Sequence, residues 1–170
     1  MIAETGCSTL NVPHGNLTDA EPEQVQRDRA HRRMAQIADE LAEWGATLLV
    51  EQLSNIDTYG VRTVEQLLET VREARALCDR GSIAIQFDTW HLARAGVDLE
   101  AFFLEHGDDA GHIQIGDMPD RGGPGMGSLP IAALIDSALA RGYRGRIALE
   151  YSHFDTDPFQ WMPAWYAAAD

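Results

Sequence analysis

Short apolar runs recur along the chain and stop on an acid or an amide. Thr47-Leu-Leu-Val-Glu51, Ser82-Ile-Ala-Ile-Gln-Phe-Asp88 and Gly145-Arg-Ile-Ala-Leu-Glu150 are apolar on consecutive positions and end in carboxylates. Ala110 to Ile115 alternates instead, with His112, Gln114 and Gly116 facing one way and Ile113 and Ile115 the other. A fifth, shorter run, Gly6 to Val12, is closed by Pro13-His-Gly-Asn16. These five read as strands.

Between them the period changes to that of helices. Asp19-Ala-Glu-Pro22 starts a helix that runs to Trp44, with Ala30, Met34, Ile37, Leu41 and Trp44 on one stripe and Gly45 ending it. Gln52 to Arg62 is a loop. Thr63 caps a helix in which Val64, Leu67, Leu68, Val71, Ala74 and Leu77 are periodic up to Cys78. Asp98 caps Leu99 to Glu105, and Pro130 to Arg141 is helical, with Ile131, Leu134, Ile135 and Leu139 inward and Gly142 as its stop. The aromatic-rich tail, Asp157 to Ala169, holds a last short helix.

Strand and helix thus alternate five times, and strands apolar on both faces belong to a parallel sheet covered by helices. The polar strand ends Glu51, Asp88, Gln114 and Glu150 are spaced by 37, 26 and 36 residues, each about one strand–helix unit. No linker or low-complexity segment interrupts them, so residues 1–170 read as one α/β domain.

Charge narrows the partners. A formal charge of −14 excludes a nucleic-acid or anionic-membrane partner, because phosphate binding needs a basic face. No run approaches the ~18 apolar residues of a membrane span, and no signal peptide is visible, so a cytoplasmic protein is expected. Cys7 and Cys78, far apart in apolar segments, read as buried reduced thiols.

In a parallel barrel the active site lies at the C-terminal ends of the strands, where Glu51, Asp88, Gln114 and Glu150 all fall. Three carboxylates and an amide oxygen form a hard-oxygen set suited to Mg²⁺ or Mn²⁺. Without a cation, three converging carboxylates repel one another and at least one stays protonated. His91, three residues after Asp88, can be turned toward the same place, and His112 reads as a packed interior histidine. Arg121 is the one cation on the glycine loop, flanked by Asp117 and Asp120. Gly122, Gly123, Gly125 and Gly127 do not form a phosphate cradle, because no helix N-terminus follows at the required spacing.

Glu51-Gln-Leu-Ser-Asn, Gln86-Phe-Asp-Thr-Trp-His91, Gly111-His-Ile-Gln-Ile-Gly-Asp-Met-Pro-Asp-Arg121, Gly125-Met-Gly127 and Leu149-Glu-Tyr151 together resemble the hydroxypyruvate isomerase family of xylose-isomerase-like TIM barrels. The resemblance runs from about Gly6 to Trp161 and implies an incomplete barrel holding strands four to eight of eight. It implies a divalent metal, Mg²⁺ or Mn²⁺, on Glu51, Asp88, Gln114 and Glu150. It makes Glu51 and Glu150 the acid/base pair and places His91 and Arg121 against the substrate. The implied activity is an aldose–ketose type isomerisation, hydroxypyruvate to tartronate semialdehyde through an enediolate. A 2-oxo-tetronate isomerase, a ketose 3-epimerase and an inactive binding or assembly module remain alternatives. The implied partner is a small keto acid or sugar. A second copy, or an N-terminal half-barrel, would cover the apolar edges of the first and last strands. DNA repair by an endonuclease IV-like relative is disfavoured by the charge and by having only six histidines. Ser128 departs from the family, which often carries an acid there.

Overall fold

The computed structural model describes residues 2–152 and 157–167. The chain forms two compact units, Met1–Gln86 and Phe87–Asp170, with one strand running across the division.

The first unit opens with α1 (Ile2–Thr5) and β1 (Thr9–Asn11), followed by α2 (Glu23–Leu41), β2 (Thr47–Glu51), α3 (Val64–Ala76) and the start of β3 (Ile83–Asp88). β1 pairs with β2 and β2 with β3, all parallel, with Asn11 opposite Leu49 and Glu51 opposite Gln86. Leu48, Leu49 and Val50 are all buried, as expected of a strand covered on both faces. Thr63 caps α3 as expected, in a reciprocal capping box with Gln66. A 3₁₀ turn, Ala42–Trp44, finishes α2.

The buried stripe of α2 differs from the expected one. It runs Arg27, His31, Met34, Ala35, Ala38 and Leu41, whereas Trp44 is 58% exposed. Arg27 is tolerated there because Nη1 donates to Gly60 O at 2.7 Å and Nε to Glu23 at 2.8 Å. β1 is shorter than the Gly6–Val12 strand expected, spanning Thr9–Asn11, and a short helix, α1, precedes it. Cys7 is exposed and Cys78 half-buried, so neither is the fully buried thiol expected.

The second unit continues β3 into α4 (Thr89–Arg94), α5 (Leu99–His106), β4 (Ala110–Ile115), α6 (Ile131–Ala140), β5 (Arg146–Leu149) and α7 (Met162–Ala167). β4 and β5 are parallel, with Gln114 opposite Ala148 and Ile115 opposite Leu149. Phe87 packs its ring 5.8 Å from Phe102 and 5.6 Å from Phe103, joining β3 to α5. Ile113, Ile115, Ile131, Leu134 and Ala138 complete this core. Leu139, expected inward, is 50% exposed; Ala138 takes its place. α4 was not expected: Asp88 ends β3 and at once caps the helix through the His91 N–H.

Strand order follows chain order, one strand–helix step at a time, as in a barrel wall. Leu10 on β1 and Leu149 on β5 are exposed apolar residues. No helix among the described residues is long and apolar enough to cross a membrane.

Candidate metal centre

In the first unit Glu51 ends β2 with its side chain buried. Its Oε2 accepts a 2.7 Å hydrogen bond from Asn11 Nδ2, so the ends of two adjacent strands present an amide and a carboxylate together. Tyr59 lies near it, and burial pushes the phenol up to about 12, with the Glu51 charge adding to the shift.

In the second unit four of the expected site residues converge. Asp88 is 1% exposed; Oδ1 accepts from the His91 N–H at 2.9 Å, and Oδ2 accepts from Arg121 Nη2 at 3.0 Å. Burial raises its pKa, against the lowering effect of the His91 N–H and the Arg121 charge. Glu150 follows β5 directly, held by its N–H to Ile115 O at 2.9 Å. Its Oε1 lies 2.7 Å from the same Arg121 Nη2, and its carboxyl is also raised, chiefly by burial. Two carboxylate oxygens from two strand ends therefore meet at one cationic nitrogen.

His91 stands on the first turn of α4, buried edge-on against Trp90 with ring centroids 4.9 Å apart. Burial, then the charges of Arg121 and Arg94, lower it to about 4, so at neutral pH it is an uncharged imidazole with a lone pair. Ligand atoms of Asp88 and His91 lie within 4.8 Å of one another. Gln114, one residue before the end of β4, is half-buried and on the opposite face from the buried Ile113 and Ile115. His112, on the same side as Gln114, has a buried Nδ1 without a hydrogen-bond partner.

Arg121, flanked in sequence by Asp117 and Asp120, has Asp88 and Glu150 as its ion-pair partners. Its guanidinium carbon lies 5.2 Å from the Trp90 ring centroid, and Trp90 Nε1 donates to Pro119 O at 3.0 Å. Gly116 lies against it: a Cβ there would come within 3.0 Å of Arg121 Cγ and of Glu150 O. Thr89 Oγ1 donates to Gly116 O at 2.8 Å and accepts from Gly116 N at 3.0 Å, locking the start of α4 to the end of β4. Thr89, Trp90 and Asn11 had no sequence signal of their own.

A divalent cation fits this donor set. Asp88 and Glu150 already aim oxygens at a single positive centre, the guanidinium standing in for the ion, and a neutral imidazole lies beside Asp88.

The family model of xylose isomerase-like TIM barrels matches residues 1–169, and the chain belongs to that family. Its described residues supply five strands of an α/β barrel, where a full one has eight. A Streptomyces coelicolor protein named "Putative hydroxypyruvate isomerase" is 33% identical over 170 residues, covering 96% of this chain and 61% of that protein. Escherichia coli hydroxypyruvate isomerase is 29% identical, over 68% of this chain and 45% of its own length. The crystal structure of an AP endonuclease, family 2, from Brucella melitensis superposes with a TM-score of 0.85 at 25% identity, over 98% of this chain and 63% of that one. The chain thus spans about half to two-thirds of the length of these relatives.

Proposed function

We propose that the chain carries the metal-binding strand ends of an isomerase for small 2-keto acids, converting hydroxypyruvate to tartronate semialdehyde. The observation that carries this reading is the meeting of Asp88 Oδ2 and Glu150 Oε1 at one cationic nitrogen. The names of the two relatives support the substrate class. Glu51, Asp88, Gln114 and Glu150 would hold Mg²⁺ or Mn²⁺, since all four offer oxygen. A divalent ion bound there polarises the substrate carbonyl and stabilises the negative charge that proton loss leaves on the oxygens.

The remaining work falls to side chains. One of Glu51 and Glu150 takes the proton from the hydroxyl-bearing carbon, the other delivers one to the adjacent carbon, and the hydroxyl proton passes to the former carbonyl oxygen, so that the carbonyl moves by one position. The raised pKa of Glu150 favours a carboxylate that accepts a proton readily. Arg121 pairs with the substrate carboxylate, and neutral His91 orients a substrate oxygen. A neutral ketose would have no use for Arg121, which separates this reading from a 3-epimerase.

The test is turnover of hydroxypyruvate by the EDTA-treated chain after Mn²⁺ or Mg²⁺ is restored. Activity that returns with the metal and is lost in Glu150→Gln supports the scheme. Full activity in Glu150→Gln rules out the two-glutamate transfer.

A further inference from the structure

The loop from Gly116 to Pro130 is wrapped around a buried acid outside the proposed ligand set. Asp117 Oδ1 accepts from the N–H groups of Met118 at 2.8 Å and Leu129 at 2.9 Å. Its Oδ2 accepts from those of Gly125 at 3.1 Å and Gly127 at 3.0 Å. The Asp117 backbone exchanges two further bonds with Gly122, of 2.8 and 3.1 Å, closing the turn in which Arg121 is the last residue before Gly122. The glycine loop is therefore an anion nest whose anion is the chain's own carboxylate. A Cβ on Gly127 would lie 1.8 Å from Met118 O and 2.7 Å from Asp117 Oδ1, so only glycine lets that N–H reach the acid.

Arg121 depends on this turn. Its φ of 58° is left-handed, a conformation that a non-glycine residue keeps only when its surroundings impose it. Its carbonyl accepts from the Ser152 N–H at 2.9 Å, and its Nε is buried without a partner. The backbone sets where the side chain begins, and Asp88 and Glu150 set where it ends.

We propose that Asp117 is a positioning residue for Arg121: its carboxylate gathers the loop N–H groups into the one turn that delivers the guanidinium over Trp90. The inference deepens the proposed function and rests on Arg121 being the partner of the substrate anion. Asp117 itself touches only backbone N–H groups of its loop in the bonds that define it, so it acts through Arg121.

The test compares wild type, Asp117→Asn, Gly127→Ala, Arg121→Leu and the Asp117→Asn/Arg121→Leu double variant. The readouts are water exchange of arginine Nε–H groups by ¹⁵N NMR, with Arg121 assigned by its loss in Arg121→Leu, and kcat and KM for hydroxypyruvate with Mn²⁺. In Asp117→Asn the Arg121 Nε–H should exchange at least about tenfold faster than in wild type. Arg27, bonded to Glu23, should be unchanged. KM should rise about tenfold with kcat within about twofold, and that rise should vanish in the Arg121→Leu background. Unchanged Arg121 exchange in folded Asp117→Asn, or an undiminished KM rise without Arg121, overturns the proposal. If Asp117→Asn does not fold, Gly127→Ala carries the same comparison. Failure of both to fold, beside a folded Arg121→Leu, makes Asp117 merely structural and also overturns it. A wild-type chain that turns over no keto acid, yet shows the Arg121 exchange difference, refutes the proposed reaction and leaves the positioning role standing.

Discussion

Arg121 Nη2 lies 3.0 Å from Asp88 Oδ2, and the carboxyl it pairs with is still harder to ionise than an ordinary aspartate. Burial outweighs the guanidinium. A single cation shared between Asp88 and Glu150 leaves the cluster short of positive charge, and that shortage is what a divalent ion would relieve.

Removing the shared cation should therefore cost stability. Arg121→Leu is expected to lower the unfolding free energy of the EDTA-treated protein by about 2 kcal/mol. That is below the cost of breaking a fully buried pair, because the Glu150 side chain is 42% exposed. Urea titration measures it. Mn²⁺ should return most of the loss, and Arg121→Lys should fall between.

His91 gives the site an acid-sensitive component. Its folded pKa, about 4, lies below the ordinary 6.5, so as pH falls through that window the unfolded chain takes up a proton that the folded chain refuses. The stability it contributes is complete above pH 6.5 and is lost as pH falls toward 4, by up to about 3 kcal/mol. Asp88 and Glu150, whose pKa values are raised, tilt the opposite way: their share falls as pH rises through their folded values. The slope of stability against pH, measured in EDTA for wild type and His91→Gln, isolates the histidine. The variant should show a flatter loss between pH 6.5 and 4.

Much of this architecture was legible in the chain. Thr47–Glu51 and Ala110–Ile115 form strands at their expected limits, because buried parallel strands need apolar side chains wherever they are covered. Thr63 and Asp98 cap the helices they were expected to cap, since a short acceptor before a periodic run leaves little alternative. Partners set by tertiary contact were not legible. The α2 stripe takes in Arg27 and His31, which apolar periodicity cannot select, because their burial depends on Gly60 O and on packing elsewhere. α4 hid behind Asp88, one acid serving as both strand end and helix cap. The pairing of Arg121 with Asp88 spans 33 positions, and nothing local in the sequence marks it. Asp117 read as a mere flanking charge; the Gly-x-Gly spacing at 125–127 was the one available sign that the loop closes on an anion.

Substrate choice should turn on Arg121. Arg121→Leu is expected to raise KM for hydroxypyruvate at least about tenfold, as loss of a charge-assisted pair implies, while changing KM for a neutral ketose by less than about threefold. Steady-state kinetics on both substrates distinguishes the keto-acid reading from the epimerase one.

A change away from the strand ends serves as the control. Thr63→Ala removes the capping box of α3 and should cost about 1 kcal/mol, a fall in Tm of about 2–4 °C. Calorimetry with and without Mn²⁺ should give the same metal-induced rise as in wild type.

The most direct test of the account is thermal unfolding of the 170-residue chain in EDTA and then in saturating Mn²⁺, beside Glu150→Gln. An ion that binds only the folded state must raise the transition by mass action, by about 2.7 kcal/mol at a hundred times Kd. A cooperative transition is expected that moves up with Mn²⁺ and moves less in Glu150→Gln. A transition indifferent to Mn²⁺, or one that moves equally in the variant, would contradict it.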